Sequence, residues 1–244
     1  MLATPAGKRT GAEMEEAEMK GEALPATAPV VAIDGPAGSG KSTVARAVAE
    51  ALGFLYVDTG AMYRAVTLKV LRDGRDPADE KDVEEALEGI SIGLERTNVF
   101  LNGADVSHEI RTGDVTRNVS AVSSHPKVRE FLVKEQRRLA EGVEGSVMEG
   151  RDIGTVVFPN ARWKFYLDAD PRERARRRQA ELAAAGRRKE LDWVLRDILE
   201  RDRRDSEREV SPLRKASDAV EIDTSDLAVE EVVERIVRYV RGEA

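Results

Sequence analysis

Gly35-Pro36-Ala37-Gly38-Ser39-Gly40-Lys41-Ser42 constrains this chain more than any other stretch, because it fits the phosphate-binding loop pattern G-x-x-x-x-G-K-[ST]. Such a loop works only between a strand and a helix N-terminus, and both flanks are present. Pro29-Val30-Val31-Ala32-Ile33 is the apolar run expected of a parallel strand buried on both faces. From Thr43 to Leu52, apolar residues at 44, 47, 48, 51 and 52 mark a helix that Gly53 stops. Glycines let backbone N–H groups turn toward phosphates, and the helix dipole adds partial positive charge. The expected binding loop is Gly35, Pro36, Ala37, Gly38, Ser39, Gly40, Lys41, Ser42 and Thr43. Within it, Lys41 reaches the β- and γ-phosphates and Ser42 holds Mg²⁺.

Beyond Gly53 the alternation continues. Phe54-Leu55-Tyr56-Val57 reads as a second strand, ending at Asp58-Thr59-Gly60, and Ala61 to Arg72 reads as a helix. The pattern then changes to short β-like runs, Ile90 to Leu94 and Val99 to Leu101, followed by the turn signal Asn102-Gly103. Helical patterns follow near 114–121 and from Pro126 to Ala140. Parallel-strand signals resume at Ser146-Val147-Met148-Glu149 and at Trp163 to Leu167. Pro171 to Ala185 and Leu191 to Ser206 read as two helices, Ala219 to Ile222 as a last strand. The final helix is expected to have Thr224 or Ser225 as its N-cap. The expected organisation is an α/β core from 29–58, 146–170 and 211–244, an insertion over 59–145 with a small antiparallel sheet, and a helical arm over 171–210.

Composition removes several classes of function. The chain has 244 residues, enough to bury a substantial core, and no cysteine, which excludes disulfides and thiolate metal sites. A net charge of −7 opposes bulk attraction to nucleic acid or to a membrane surface. No apolar run approaches the ~18 residues of a membrane span. Residues 1–28, rich in Ala, Glu, Gly, Thr and Pro, lack the apolar segment of a secretory signal. They read as a disordered extension or an overlong start, with Met14 and Met19 as later candidate starts. A cytoplasmic monomer is expected.

The stretch 172–208 holds twelve Arg and Lys189 against nine acids. Most of these residues are accounted for by a solvated helical face with i,i+4 pairs. Arg201, Asp205 and Arg208 recur at i, i+4 and i+7 and would share one helix face, with Arg204 close by. That stripe fits a surface ion-pair ladder. It equally fits two guanidiniums presented to phosphates, with a carboxylate for a ribose diol. Glu149-Gly150-Arg151-Asp152 ends a core strand, and ligands of open α/β sheets sit outside the carboxyl ends of the strands. The same reasoning covers Asp58-Thr59-Gly60 and Tyr63-Arg64. His108 and His125 have no metal-ligand neighbour at useful spacing, so a metal hydrolase or His-based acid–base catalyst has little support.

Five separated stretches together resemble the bacterial cytidylate kinases, a nucleoside monophosphate kinase family. They are Ile33 to Thr43; Asp58-Thr59-Gly60-Ala61-Met62-Tyr63-Arg64; Ile110-Arg111-Thr112; Gly150-Arg151-Asp152-Ile153-Gly154-Thr155-Val156-Val157-Phe158-Pro159; and Arg201-Asp202-Arg203-Arg204-Asp205-Ser206-Glu207-Arg208. The resemblance implies a P-loop NTPase core with a five-stranded parallel sheet. It makes 59–145 a monophosphate-binding domain and 171–210 a lid. It implies ATP, with Mg²⁺, as phosphate donor and CMP or dCMP as acceptor. Thr59, Arg64 and Arg151 then fall where the family grips the acceptor phosphate, and Ser120, Arg129 and Asp152 where it reads the cytosine edge. Asp205 falls at the ribose hydroxyls and Arg201 and Arg208 on phosphates; Lys41, Arg151, Arg201 and Arg208 are the implied catalytic set. Two positions depart from the family's usual residues: Thr59 where Ser is common, and Glu149 where Asp is common.

Three other readings remain from the residues alone. One is a different P-loop small-molecule kinase of the UMP/CMP, adenylate or shikimate type. A GTP-binding switch is opposed by the lack of an Asn-Lys-x-Asp sequence, and a nucleic-acid-binding arm by the acids interleaved through 172–208.

Overall fold

In the computed structural model, which describes residues 28–95 and 97–243, β1 (Val30–Asp34) is buried along its whole length. Its side chains alternate between two hydrophobic clusters: Val30 and Ala32 enter one, Val31 and Ile33 the other. Both faces of the sheet are therefore covered, which is why the run is continuously apolar. β2 (Leu55–Asp58), β6 (Ser146–Gly150), β7 (Trp163–Asp168) and β8 (Val220–Asp223) complete a parallel sheet in the order β2-β6-β1-β7-β8.

On one face, α1 (Lys41–Leu52) and α8 (Val229–Arg241) pack Val44, Val48, Val232 and Ile236 against Val31, Ile33 and Phe165. On the other, α2 (Thr59–Arg72) leads into the insertion. There α3 (Glu80–Ala86), the antiparallel β3 (Ile92–Glu95), β4 (Asn98–Leu101) and β5 (Ala104–Asp105), α4 (Gly113–Val122) and α5 (Pro126–Leu139) follow. Met62, Ile110 and Leu132 join this insertion to Ala32 and Met148 of the sheet in one continuous cluster. The helices α6 (Pro171–Ala184) and α7 (Leu191–Glu207) form a hairpin with a small cluster of its own, Ala175, Leu182, Val194 and Ile198.

At several points the tertiary structure overrides the local pattern. The last helix begins at Val229, not at Thr224 or Ser225, with the Ala228 N–H donating to Glu231. Thr224 is otherwise engaged: its hydroxyl reaches the carbonyls of Ser39 (3.1 Å) and Asp168 (3.0 Å), and Ser225 closes a turn on Asp223. α2 begins at Thr59, two residues earlier than expected, because the Asp58 carboxylate accepts from the Ala61 N–H as N-cap. α7 ends at Glu207, so Arg208 lies beyond the helix in extended backbone and is not the third rung of a helical stripe. A π-helical turn over Ile153–Val157 had no signal in the sequence. The extension expected over 1–28, with Met14 and Met19, lies outside the described residues except for Ala28.

Gly35 shows how closely the loop is packed at the point where it leaves β1. Its φ is +149°, and a Cβ there would lie 2.0 Å from the Leu167 carbonyl oxygen. Both atoms belong to backbone, so neither can swing away. Gly35→Ala should cost about 3 kcal/mol in urea unfolding; an unchanged midpoint would contradict this packing.

Candidate functional site

The loop after β1 turns through glycines of positive φ, Gly38 (76°) and Gly40 (87°), and α1 starts at Lys41. This aims the first N–H groups of α1 at one side of a cleft of about 620 Å³ that opens at the carboxyl edge of the sheet. Lys41 is buried, and its ammonium donates to the Pro36 carbonyl (2.6 Å) and the Ser39 hydroxyl (3.2 Å). The Ser42 hydroxyl donates to Glu149 Oε2 (2.8 Å), and the Tyr56 hydroxyl holds Oε1 of the same carboxylate (2.5 Å). The Ala37 N–H donates to Asp202 of α7 (3.1 Å), while Arg174 of α6 bonds both Asp202 and the Ala37 carbonyl. The helical hairpin is thus fastened to the loop.

Across the cleft, the Thr59 hydroxyl donates to the Glu149 carbonyl (2.6 Å), which seats the start of α2 against the end of β6. Arg64, one turn further on, donates to Thr116 (3.1 Å). Arg129 of α5 is buried over the Tyr63 ring (5.1 Å), donating to the Ser123 carbonyl (3.0 Å) and to Asp152. Arg151 donates through Nε to Asp205 (2.9 Å), joining the end of β6 to α7. Arg208, fixed by the Ser211 carbonyl (2.6 Å), stands 3.9 Å from Asp152 and 4.0 Å from Asp205.

The electrostatics of this wall are unbalanced toward positive charge. Burial, and then the neighbouring Arg151, pull the Lys41 ammonium well below its ordinary range. Burial and Arg201 bring Arg64 down to about 9, and burial and Arg151 bring Arg201 down to about 10. Burial would raise the Asp205 carboxyl, yet Arg151, Arg201 and Arg208 hold it below its usual value. Burial, then Asp58, raise the Glu149 carboxyl. Arginines stay charged under such stress, so the cluster is a set of cations that an anion would relieve. Arg129 Nε, Arg201 Nε and Arg208 Nη2 are buried and have no hydrogen-bond partner. Buried orphan donors are rare and costly, and all three belong to arginines that line this one cleft, a concentration of cationic donors suited to acceptor-rich anions.

The structure brings nearly all of the sequence-derived candidates to this cleft. Ala37, Gly38, Gly40, Lys41, Ser42 and Thr43 line it, as do Thr59, Arg64, Ser120, Arg129, Arg151, Asp152, Arg201, Asp205 and Arg208. Gly35, Pro36 and Ser39 of the same loop do not line the cleft, and the Pro36 carbonyl accepts from both the Ser39 hydroxyl and the Lys41 ammonium. Arg201 acts electrostatically on Lys41 and Arg151, whereas Arg208 lies among Asp152, Arg129 and Tyr63, toward the other end. Of the other residues that line the cleft, Tyr63 and Glu149 lie in the strand-edge clusters singled out in the sequence and Arg111 in one of the family-like stretches, whereas Arg178 had no assignment of its own. Arg178 bears on both Arg64 and Arg201, but nothing local distinguishes it from Arg176 and Arg177 beside it. Neither histidine lines the cleft; His125 hydrogen-bonds the Pro77 carbonyl (2.9 Å).

A family model described as cytidylate kinase matches residues 31–242. The "Cytidylate kinase" of Halalkalibacterium halodurans is 50% identical over 215 residues, covering 86% of this chain and 96% of that protein. That of Geobacillus kaustophilus is 54% identical over 214 residues, covering 86% and 95%. That of Mycobacterium leprae is 51% identical over 212 residues, covering 87% and 95%.

Proposed function

Because the chain belongs to the cytidylate kinase family, we propose that this cleft transfers the γ-phosphoryl group of ATP to CMP and dCMP, giving ADP and CDP or dCDP. The observation that carries the reading is the pairing of the Lys41 loop with the guanidiniums of Arg129, Arg201 and Arg208 in one cleft, each with a nitrogen that has no hydrogen-bond partner. That geometry supports two anionic ligands placed end to end. The loop and Lys41 take the triphosphate of ATP. Thr59, Arg64 and Arg151 take the acceptor phosphate, with Asp205 at its ribose. The division into core, acceptor-binding insertion (59–145) and lid (171–210) belongs to this proposal.

An acceptor phosphate oxygen attacks the γ-phosphorus, the bond to the bridging oxygen breaks, and its electrons leave on the β-phosphate of ADP. A phosphate monoester has a second pKa near 6 and is mostly dianionic at neutral pH, so no strong general base is needed. The remoteness of both histidines agrees with that. Catalysis then rests on alignment and on charge neutralisation by Lys41, Arg151 and Arg201, with Arg208 acting from the acceptor side. Mg²⁺ fits the residues present: the Ser42 hydroxyl, oriented by Glu149, would hold it. Bound there, it would neutralise charge on the donor phosphates. No cluster of three or more His, Cys, Asp or Glu among the described residues forms a separate metal cage.

Base selection follows from hydrogen-bond polarity. Cytosine presents an amino donor, which the Asp152 carboxylate accepts, and acceptors, which Arg129 and Ser120 satisfy. Uracil turns the amino group into a carbonyl that meets Asp152 with the wrong polarity. An ADP-release assay over CMP, dCMP, UMP, AMP and shikimate tests the reading. CMP and dCMP should be preferred to UMP by about 10²-fold or more in kcat/KM; comparable use of UMP would overturn the base assignment, and no turnover of CMP would overturn the function. No helix among the described residues is long and apolar enough to cross a membrane. We place the enzyme in the cytoplasm, as a monomer acting on small nucleotides without nucleic acid, in pyrimidine nucleotide metabolism. Light scattering checks its mass.

A further inference from the structure

Asp34 is the last residue of β1 and stands immediately before the phosphate-binding loop, yet its carboxylate oxygens bond the turn after β6 rather than the loop. It is buried, and its two oxygens accept from the backbone N–H groups of Ile153 and Gly154, each at 2.8 Å. Those amides open the π-helical turn that follows Arg151 and Asp152 directly. The turn is closed by Asp152 and Ile153 carbonyls accepting from Val157 (3.2 Å) and Phe158 (2.7 Å). At its far end, Arg137 of α5 donates to the carbonyls of Val157 (2.9 Å) and Val156 (3.1 Å). Thus the turn is capped by a carboxylate at its N–H end and a guanidinium at its C=O end, the polarity a helical segment favours.

A carboxylate that served only to cap a turn would sit more cheaply at the surface. Burial holds this one up to about 6, even with both N–H bonds lowering it. The cost is placed at the one point where the donor loop and the acceptor-gripping pair Arg151-Asp152 leave adjacent, hydrogen-bonded strands, at the register pair Asp34 and Gly150. In-line transfer requires the two nucleotides to be fixed relative to one another, and a misplacement of about 1 Å costs about 10²-fold. We propose that Asp34, with Arg137 at the other end of the turn, is a positioning residue that sets the acceptor site relative to the ATP loop. The inference rests on the kinase reading above. It adds a role for two residues that do not line the cleft.

Asp34→Asn keeps the size but replaces one acceptor by an NH₂ group facing a backbone N–H, so the turn must shift. Calorimetry on the folded variant should show CMP binding about 10-fold weaker, with the affinity for a non-hydrolysable Mg·ATP analogue within about threefold of wild type. The kcat should fall about 10²-fold. Arg137→Met, which releases only the far end, should change CMP binding and kcat in the same direction by about threefold, again sparing the ATP analogue. If Asp34→Asn does not fold, Arg137→Met decides the matter. Wild-type kinetics in the variants, or equal loss of CMP and ATP-analogue affinity, would overturn the inference. Wild-type protein run alongside separates the two ideas: its failure to phosphorylate CMP would defeat the function itself.

Discussion

Lys41→Ala should lower kcat about 10³-fold while leaving the folded protein intact, a magnitude expected from removing one preorganised charge from a developing anion. The Lys41 ammonium is held by the Pro36 carbonyl and the Ser39 hydroxyl inside the curl of the loop, so it is in place before ATP arrives. Little reorganisation is then needed as charge builds on the β- and γ-oxygens. The same preorganisation is a burden on the empty fold. Burial and Arg151 disfavour the protonated lysine, so its removal relieves a strained cation as well as deleting two hydrogen bonds. These effects oppose each other, and the melting temperature without ligand should stay within about 3 °C of wild type. The rise in melting temperature caused by Mg·ATP should largely disappear. Near-normal kcat in steady-state assays would show that the loop does not hold the transferring phosphate.

Arg151→Ala should reduce kcat/KM for CMP about 10³-fold, with the affinity for an ATP analogue changed less than about threefold. Arg151 comes from the end of β6 and faces the acceptor side, where its Nε bonds Asp205 (2.9 Å). Both side chains are largely buried, at 18% and 8% exposure. Breaking a buried pair by deleting one partner typically costs about 3–5 kcal/mol. Here Arg208 remains 4.0 Å from Asp205, and Arg201 still bears on it, so a loss of about 2 kcal/mol is expected. The pH dependence has a definite sign. Asp205 has its carboxyl lowered in the fold, so its pairing stabilises fully above the unfolded carboxylate value near 4 and is lost as pH falls through the still lower folded value. The stability gap between wild type and Arg151→Ala should therefore be constant above about pH 5 and narrow below about pH 4. A gap that widened on acidification, or equal damage to both substrates, would argue against this role.

The strand, loop and helix from Val30 to Leu52 were legible in the sequence because each is set by local chemistry: a run of β-branched residues, glycines at forced φ, and apolar spacing at helical period. The same holds for the other four strands of the parallel sheet and the Asn102-Gly103 turn, which joins β4 to β5. Interactions between distant parts of the chain were not legible. Thr224 makes a good local cap, yet its hydroxyl is drawn to Ser39, 185 residues away, and α8 starts later. The twelve arginines of 172–208 look alike in sequence. Only packing of the hairpin on the loop turns Arg174 to Ala37 and Arg177 to Thr224, and leaves Arg178, Arg201, Arg204 and Arg208 on the cleft. Asp34 could be read as the end of a strand, but not as an acceptor for amides 119 and 120 residues further on. Local pattern determined which elements form and where a polyphosphate loop lies, since those depend on neighbours within a few residues. The tertiary structure alone decided which charges face one another, because closing the sheet around β1 brings residues more than a hundred positions apart within hydrogen-bonding distance.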